Sequence, residues 1–165
     1  METAEVRIVK KPSFQVTCLK WEGGFRQAAK GRIRDTIQEF IDRGEEVKNP
    51  KDTSRMWGLS YHTMPDGFTH YTGYEVEGEA ELPDGMEVVI VPEYTYAVYP
   101  HRKGQDIGSS YAHLSHWIEE NGYEPYKEED LPDYDPLPMK FELYNYENIL
   151  SQVPEFDIYI PVTKK

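Results

Sequence analysis

Cysteine is all but missing from this 165-residue chain. Cys18 stands alone, so no intramolecular disulfide can form, and a reducing, cytoplasmic setting is expected. Long apolar runs are missing too. No stretch of about 18 apolar residues occurs, and the opening "METAEVRIVKKPSF" lacks the apolar core of a signal peptide, so a soluble protein without a membrane partner is expected. Positive charge is scarce: 18 Lys and Arg face 30 Asp and Glu, a net charge of −12. Phosphate contacts need a basic surface, so nucleic acid is not expected as a direct partner, whereas cationic ligands suit this balance. The chain has no G-x-S-x-G elbow, P-loop, G-x-G-x-x-G or H-E-x-x-H. No cofactor is expected. His113 and His116 are three apart on a predicted helix, but no third ligand stands at a readable spacing, so no metal site is expected either. Cys18 reads as a small buried thiol rather than a nucleophile.

Aromatic residues are abundant instead: thirteen Tyr, six Phe and three Trp, many inside strand-like segments. Such strands form either a plain core or the wall of a cavity for a flat ligand. Two acidic runs, "EGEAELPDG" (77–85) and "YEPYKEEDLPDYDPLP" (123–138), read as solvated loops.

The periodicity gives an order of elements. "VRIV" and "FQVTCL" are strand signals interrupted at Pro12. "FRQAAKGRIRDTIQEFIDRG" (25–44) repeats apolar residues at three and four residue steps, which predicts one amphipathic helix ended by Gly44. "RMWGLSYHTM", the turn "PDG" and "FTHYTGYEVEG" predict a hairpin. "MEVVIVPEYTYAVYPHR" predicts a strand pair broken near Pro92, residues 106–124 a second helix, and "KFELYNY" and "FDIYIPV" two last strands around a short insertion, 147–155, that reads as helical. The β-α-β-β order therefore occurs twice. It predicts an α+β fold in one domain over 1–165, with halves of approximately 1–80 and 86–165.

Alternation assigns faces, because successive strand side chains point to opposite sides of a sheet. Phe141 and Leu143 share one side, Glu142 and Tyr144 the other. In the last strand Phe156, Ile158 and Ile160 separate from Tyr159. Assigning the aliphatic sides to the helices leaves Glu142, Tyr144 and Tyr159 on the opposite side. In the hairpin, Trp57, Leu59 and Tyr61 form the set that gathers the larger aromatics. Glu75 is a second, weaker candidate acid. Trp117 falls among Leu114 and Ile118 on the second helix, where packing against the sheet is expected.

These elements and the segments "WGLSYH", "YTGYEV", "VPEYTYAVYPHRKG", "SSYAHLSHWIEENGYEP", "FELY" and "FDIYIPV", in this order, resemble the GyrI-like small-molecule-binding superfamily. Its members include gyrase-inhibitory proteins and the effector-binding domains of multidrug-responsive transcription activators. The resemblance implies SHS2-like halves joined in an antiparallel sheet, with two helices on one face and a ligand cleft on the other. It further implies an aromatic cleft for lipophilic cationic or aromatic small molecules, with the "FELY" glutamate, Glu142, as its charge. The residues expected to bind are Glu142, Trp57, Tyr61, Tyr71, Tyr94, Tyr96 and Tyr144. A catalytic branch of the family opens cyclopropane rings, which implies an alternative role as a hydrolase with Glu142 and Trp57 as the residues to test. A third alternative is interaction with gyrase. No helix-turn-helix is read, and few residues precede Val6, so DNA would be reached only through a separate regulator.

Overall fold

The computed structural model describes residues 5–78, 81–129, 136–145, 149–151 and 154–165. The first strand signal resolves into β1 (Arg7–Lys11) and β2 (Phe14–Gly24), with Pro12 in the break. The single helix expected over 25–44 is two helices, α1 (Phe25–Ala29) and α2 (Arg32–Arg43). Gly31 between them takes φ +89°, a left-handed conformation that glycine adopts at little cost, and this turns the chain. Phe40 anchors α2, fully buried edge-on against Tyr74, whereas α1 buries none of its residues and Phe25 is 48% exposed.

The hairpin β3 (Arg55–Met64) and β4 (Gly67–Val76), the strands β5 (Glu87–Val91) and β6 (Tyr94–His101), and helix α3 (Ile107–Glu120) follow where the pattern places them. A three-residue strand, β7 (Tyr123–Pro125), is too short to leave a periodic signal. Strands β8 (Met139–Asn145) and β9 (Phe156–Lys164) close the chain. The insertion read as helical lies partly outside the described residues, as do 130–135 of the second acidic run.

All strands join one antiparallel sheet in the order β1-β6-β9-β8-β3-β4-β2-β5, with β7 paired to β9. This order reads alike from both ends. The triplets β6-β9-β8 and β2-β4-β3 meet through β8 and β3, and the short leading strand of each half lies on the outer edge of the other half. Only two residues join β1 to β2, although these strands lie near opposite ends of the order. The sheet must therefore curl until its ends approach, and Lys11 of β1 reaches Glu75 of β4 at 3.1 Å.

Curling gives the sheet two apolar faces. Helices α2 and α3 cover one: Leu19 and Met56 of the strands pack with Phe40 of α2, and Phe156, Ile158 and Ile160 pack with Leu114 and Ile118 of α3. The other face fills itself with Val16, Trp57, Leu59, Tyr96, Phe141 and Leu143. The expected orientation of β8 is reversed by this arrangement. Glu142 pairs directly with Ile158, and Phe141 with Tyr159, and cross-strand partners share a face. Ile158 lies under α3, so Glu142 and Tyr144 face the helices, and the cleft expected opposite the helices is not where Glu142 points. Aliphatic content could not identify the helix side because both sides are buried.

Beneath α1, β3 and β4 carry a buried polar chain. Ser60 Oγ lies 2.8 Å from His70 Nδ1, and His70 Nε2 lies 3.0 Å from Thr72 Oγ1. A neutral imidazole satisfies both contacts with one donor and one acceptor. Burial pushes the His70 pKa down to about 4. The folded protein thus keeps a neutral ring while an unfolded chain takes up a proton near pH 6.5. This contribution is intact above that value and is lost as pH falls toward 4. Urea unfolding of wild type should lose roughly 2 kcal/mol more between pH 7 and 4.5 than unfolding of His70→Gln; equal pH slopes would refute this assignment.

Candidate functional site

Glu142 pairs with Gly58 at the midpoint of the β3–β8 ladder, whose register runs from Arg55↔Asn145 to Tyr61↔Met139. It stands where the two halves meet. Gly58 has no side chain beside it: a Cβ there would lie a tight 3.0 Å from His70 Cε1, so a larger residue would have to push the ring back. Above this pair, on the helix-bearing face, is a cavity of about 330 Å³. Its apolar walls come from Phe25 of α1, Phe68 of β4, Tyr111 of α3 and Leu137. Ser60, His62, Lys140 and Glu142 supply its polar groups.

Each wall is set by local structure. Asp106 caps α3, its carboxylate accepting from the Ser109 N–H at 2.8 Å, and this fixes the first turn that carries Gly108 and Tyr111 over the cavity. The Phe25 N–H donates to the Asp66 carbonyl at 2.9 Å, tying α1 to the hairpin turn. The Phe25 ring then lies 5.7 Å from Phe68 and edge-on to His62 at 5.4 Å.

The Glu142 carboxylate accepts two phenolic hydrogen bonds. Tyr144 donates to Oε1 at 2.7 Å, and Tyr111 donates to Oε2. Tyr144, two residues along the same strand, is steadied by Phe156 at 4.6 Å between ring centroids. Glu142 is half-buried and lines the cavity. Desolvation raises its pKa above the usual carboxylate value, opposed by the two tyrosine hydrogen bonds and by the charge of Lys140. Burial, reinforced by the nearby carboxylate, also holds Tyr111 and Tyr144 well above the ordinary phenol range, so both remain donors. The Lys140 ammonium lies 5.7 Å from the Tyr111 ring centroid. The cavity thus offers one acid, one tethered cation and aromatic walls.

The structure divides the seven residues expected to bind ligand. Glu142 lines this cavity, and Tyr144 does not line it but supports Glu142 through its hydrogen bond. Trp57, Tyr61, Tyr71, Tyr94 and Tyr96 lie in or against the core of the opposite face, where Tyr96 is fully buried. Tyr94 there donates to Glu128, and Trp57 packs edge-on against Tyr159 at 5.1 Å. Glu142 and Trp57 therefore do not share a cavity. Glu75 is bound by Lys11 and Lys51, at 3.1 and 3.3 Å. His116 pairs with Glu120, and His113 lies on Tyr99. Trp117 stacks on Tyr123 at the edge of the α3 core. Cys18 is fully buried and its pKa is pushed up to about 12, which keeps the thiol protonated. The cavity residues that sequence reasoning missed are Tyr111, Phe25 and Phe68. Tyr111 carried the one usable signal, a phenol within an apolar stripe at helical spacing.

Among known proteins, the transcriptional regulator BrlR of Pseudomonas aeruginosa is 30% identical over 159 residues, covering 94% of this chain. The chain spans about half, 54%, of that relative's length. The solved structure of SAV2435 bound to tetraphenylphosphonium superposes with a TM-score of 0.69 at 17% identity, covering 96% of this chain and 94% of the other. The C-terminal domain of EcmrR superposes with a TM-score of 0.66 at 16% identity, covering 99% and 100%. Both superpositions establish a shared fold. No helix among the described residues is long and apolar enough to cross a membrane. The family model of Cass2, the integron-associated effector binding protein, matches residues 7–162, and the chain belongs to this GyrI-like effector-binding family.

Proposed function

We propose that the chain binds flat or globular aromatic cations in the cavity between α1 and α3, with Glu142 as the charge that receives them. The observation that carries this reading is a desolvated carboxylate held by two tyrosine hydroxyls at the floor of an aromatic cavity. Burial makes the ionised acid costly, and a cation without its own hydrogen-bond donors offsets that cost while its rings contact Phe25, Phe68 and Tyr111. SAV2435, which shares the fold, was solved with such a cation, tetraphenylphosphonium. A single domain of two halves suits a site at their junction, and a cytoplasmic location suits a lone protonated thiol.

Tetraphenylphosphonium and the uncharged triphenylphosphine oxide separate charge from shape. In Glu142→Gln the Kd for the cation should rise about tenfold or more, while that for the oxide moves less than about threefold. Equal losses for both would remove Glu142 as the charge receptor.

The raised pKa sets a pH dependence. Tetraphenylphosphonium does not titrate and favours the ionised acid, so binding lowers the Glu142 pKa and releases its proton. Affinity should be full above the folded-state pKa and fall by up to about tenfold per pH unit below it. Calorimetric titrations from pH 4.5 to 8 would show this, and Glu142→Gln should flatten the profile.

Lys140 opposes an incoming cation. In Lys140→Met the affinity for tetraphenylphosphonium should increase by about threefold at low salt, with a smaller gain at high salt. A loss of affinity would mean that Lys140 supports the site through packing instead.

A further inference from the structure

The other face of the sheet carries a second cavity, of about 440 Å³. Its floor is aromatic: Trp57, only 3% exposed, meets Tyr159 edge-on with ring centroids 5.1 Å apart, and Leu143 lies alongside. Its rim is cationic. Lys11, Lys51 and Arg55 line it against Asp52 and Glu75, an excess of positive charge in a chain whose net charge is −12.

The acids near this rim are already engaged. Glu75 is shared between Lys11 and Lys51 at 3.1 and 3.3 Å. Asp52 turns back to its own chain, accepting from the Ser54 N–H at 2.9 Å. Asp157 is shared between Arg55 at 3.3 Å and Arg7 at 3.9 Å. Each cationic pair thus competes for one carboxylate. The Nε of Arg55 is buried and has no hydrogen-bond partner among the described residues. A buried guanidinium N–H without an acceptor is costly, and a carboxylate is the acceptor that matches its geometry.

We propose that this cavity is a second binding site, for a flat aromatic carboxylate. The aromatic body lies against Tyr159 and the narrow exposed edge of Trp57, and the carboxylate accepts from Arg55 and the Lys51 ammonium. The cation of the Glu142 cavity is repelled here by the same charges. The sheet therefore separates two sites of opposite preference, one on each face, and this second site does not depend on what the first one binds.

Calorimetry with 2-naphthoate and its uncharged counterpart 2-naphthamide tests the assignment. Naphthoate should bind about tenfold more tightly than the amide at low salt, with the gap closing as salt screens the rim. Arg55→Gln and Lys51→Met should each weaken naphthoate by about fivefold or more and leave the amide within about twofold. The Lys51 side chain is 55% exposed, so its variant reads the charge without disturbing the core should Arg55→Gln fail to fold. Saturating tetraphenylphosphonium should not displace naphthoate. Equal affinities for acid and amide, unchanged binding in Lys51→Met, competition by tetraphenylphosphonium, or no naphthoate binding at millimolar concentration would each overturn the proposal.

Discussion

The ladder between β3 and β8 is the contact on which the rest of the molecule depends. Among the described residues it is the only place where the two strand triplets join within the sheet, and Gly58 and Glu142 sit at its middle. Helices from both halves rise over that point, α1 from one side and α3 from the other, so the cavity takes its walls from both. Neither half alone would enclose it. The Gly58–Glu142 pair also explains why a small and a charged residue face each other in a buried ladder: the glycine admits the His70 ring, and the carboxylate rises into the space above.

Such a carboxylate is stable only because its hydrogen bonds come from groups that keep their protons. Burial and the acid itself raise the pKa of Tyr111 and Tyr144 well above the ordinary phenol range, which favours their protonated, donating form. They lessen the desolvation cost without cancelling it, and desolvation remains the largest influence on Glu142. Under the proposed function, this residual cost is what an aromatic cation would offset. The nearby Lys140 moderates it, lowering the cost of the empty state and raising that of the occupied one.

The two faces of the curled sheet have contrasting chemistry. One is an acid beneath aromatic walls, the other an aromatic floor beneath basic rims. Strand alternation makes this possible, because neighbouring residues of β8 serve different surfaces: Glu142 the helix side, Leu143 the opposite cavity. A charge of −12 summed over the chain gives no hint of a locally basic pocket.

Period and punctuation in the sequence determined the element order, the hairpin at Pro65–Gly67, the two main helices and the separation of Glu142 from Phe141 and Leu143. These are local properties, set by side-chain spacing and by residues that end helices and strands. The split of the first helix was only half legible, since Gly31 could have been tolerated within it until its left-handed φ was seen. Which face Glu142 occupies was decided by tertiary structure alone. Alternation says that two residues point apart but not which points where, and a sheet curled onto itself buries both sides with apolar residues. Only the register with β9, pairing Glu142 with Ile158 beneath α3, resolved it. The same long-range pairing carried Trp57 and most of the tyrosines to the far side and brought Tyr111 over the acid. A phenol 31 residues away in the chain becomes a hydrogen-bond donor only once α3 has docked on the sheet.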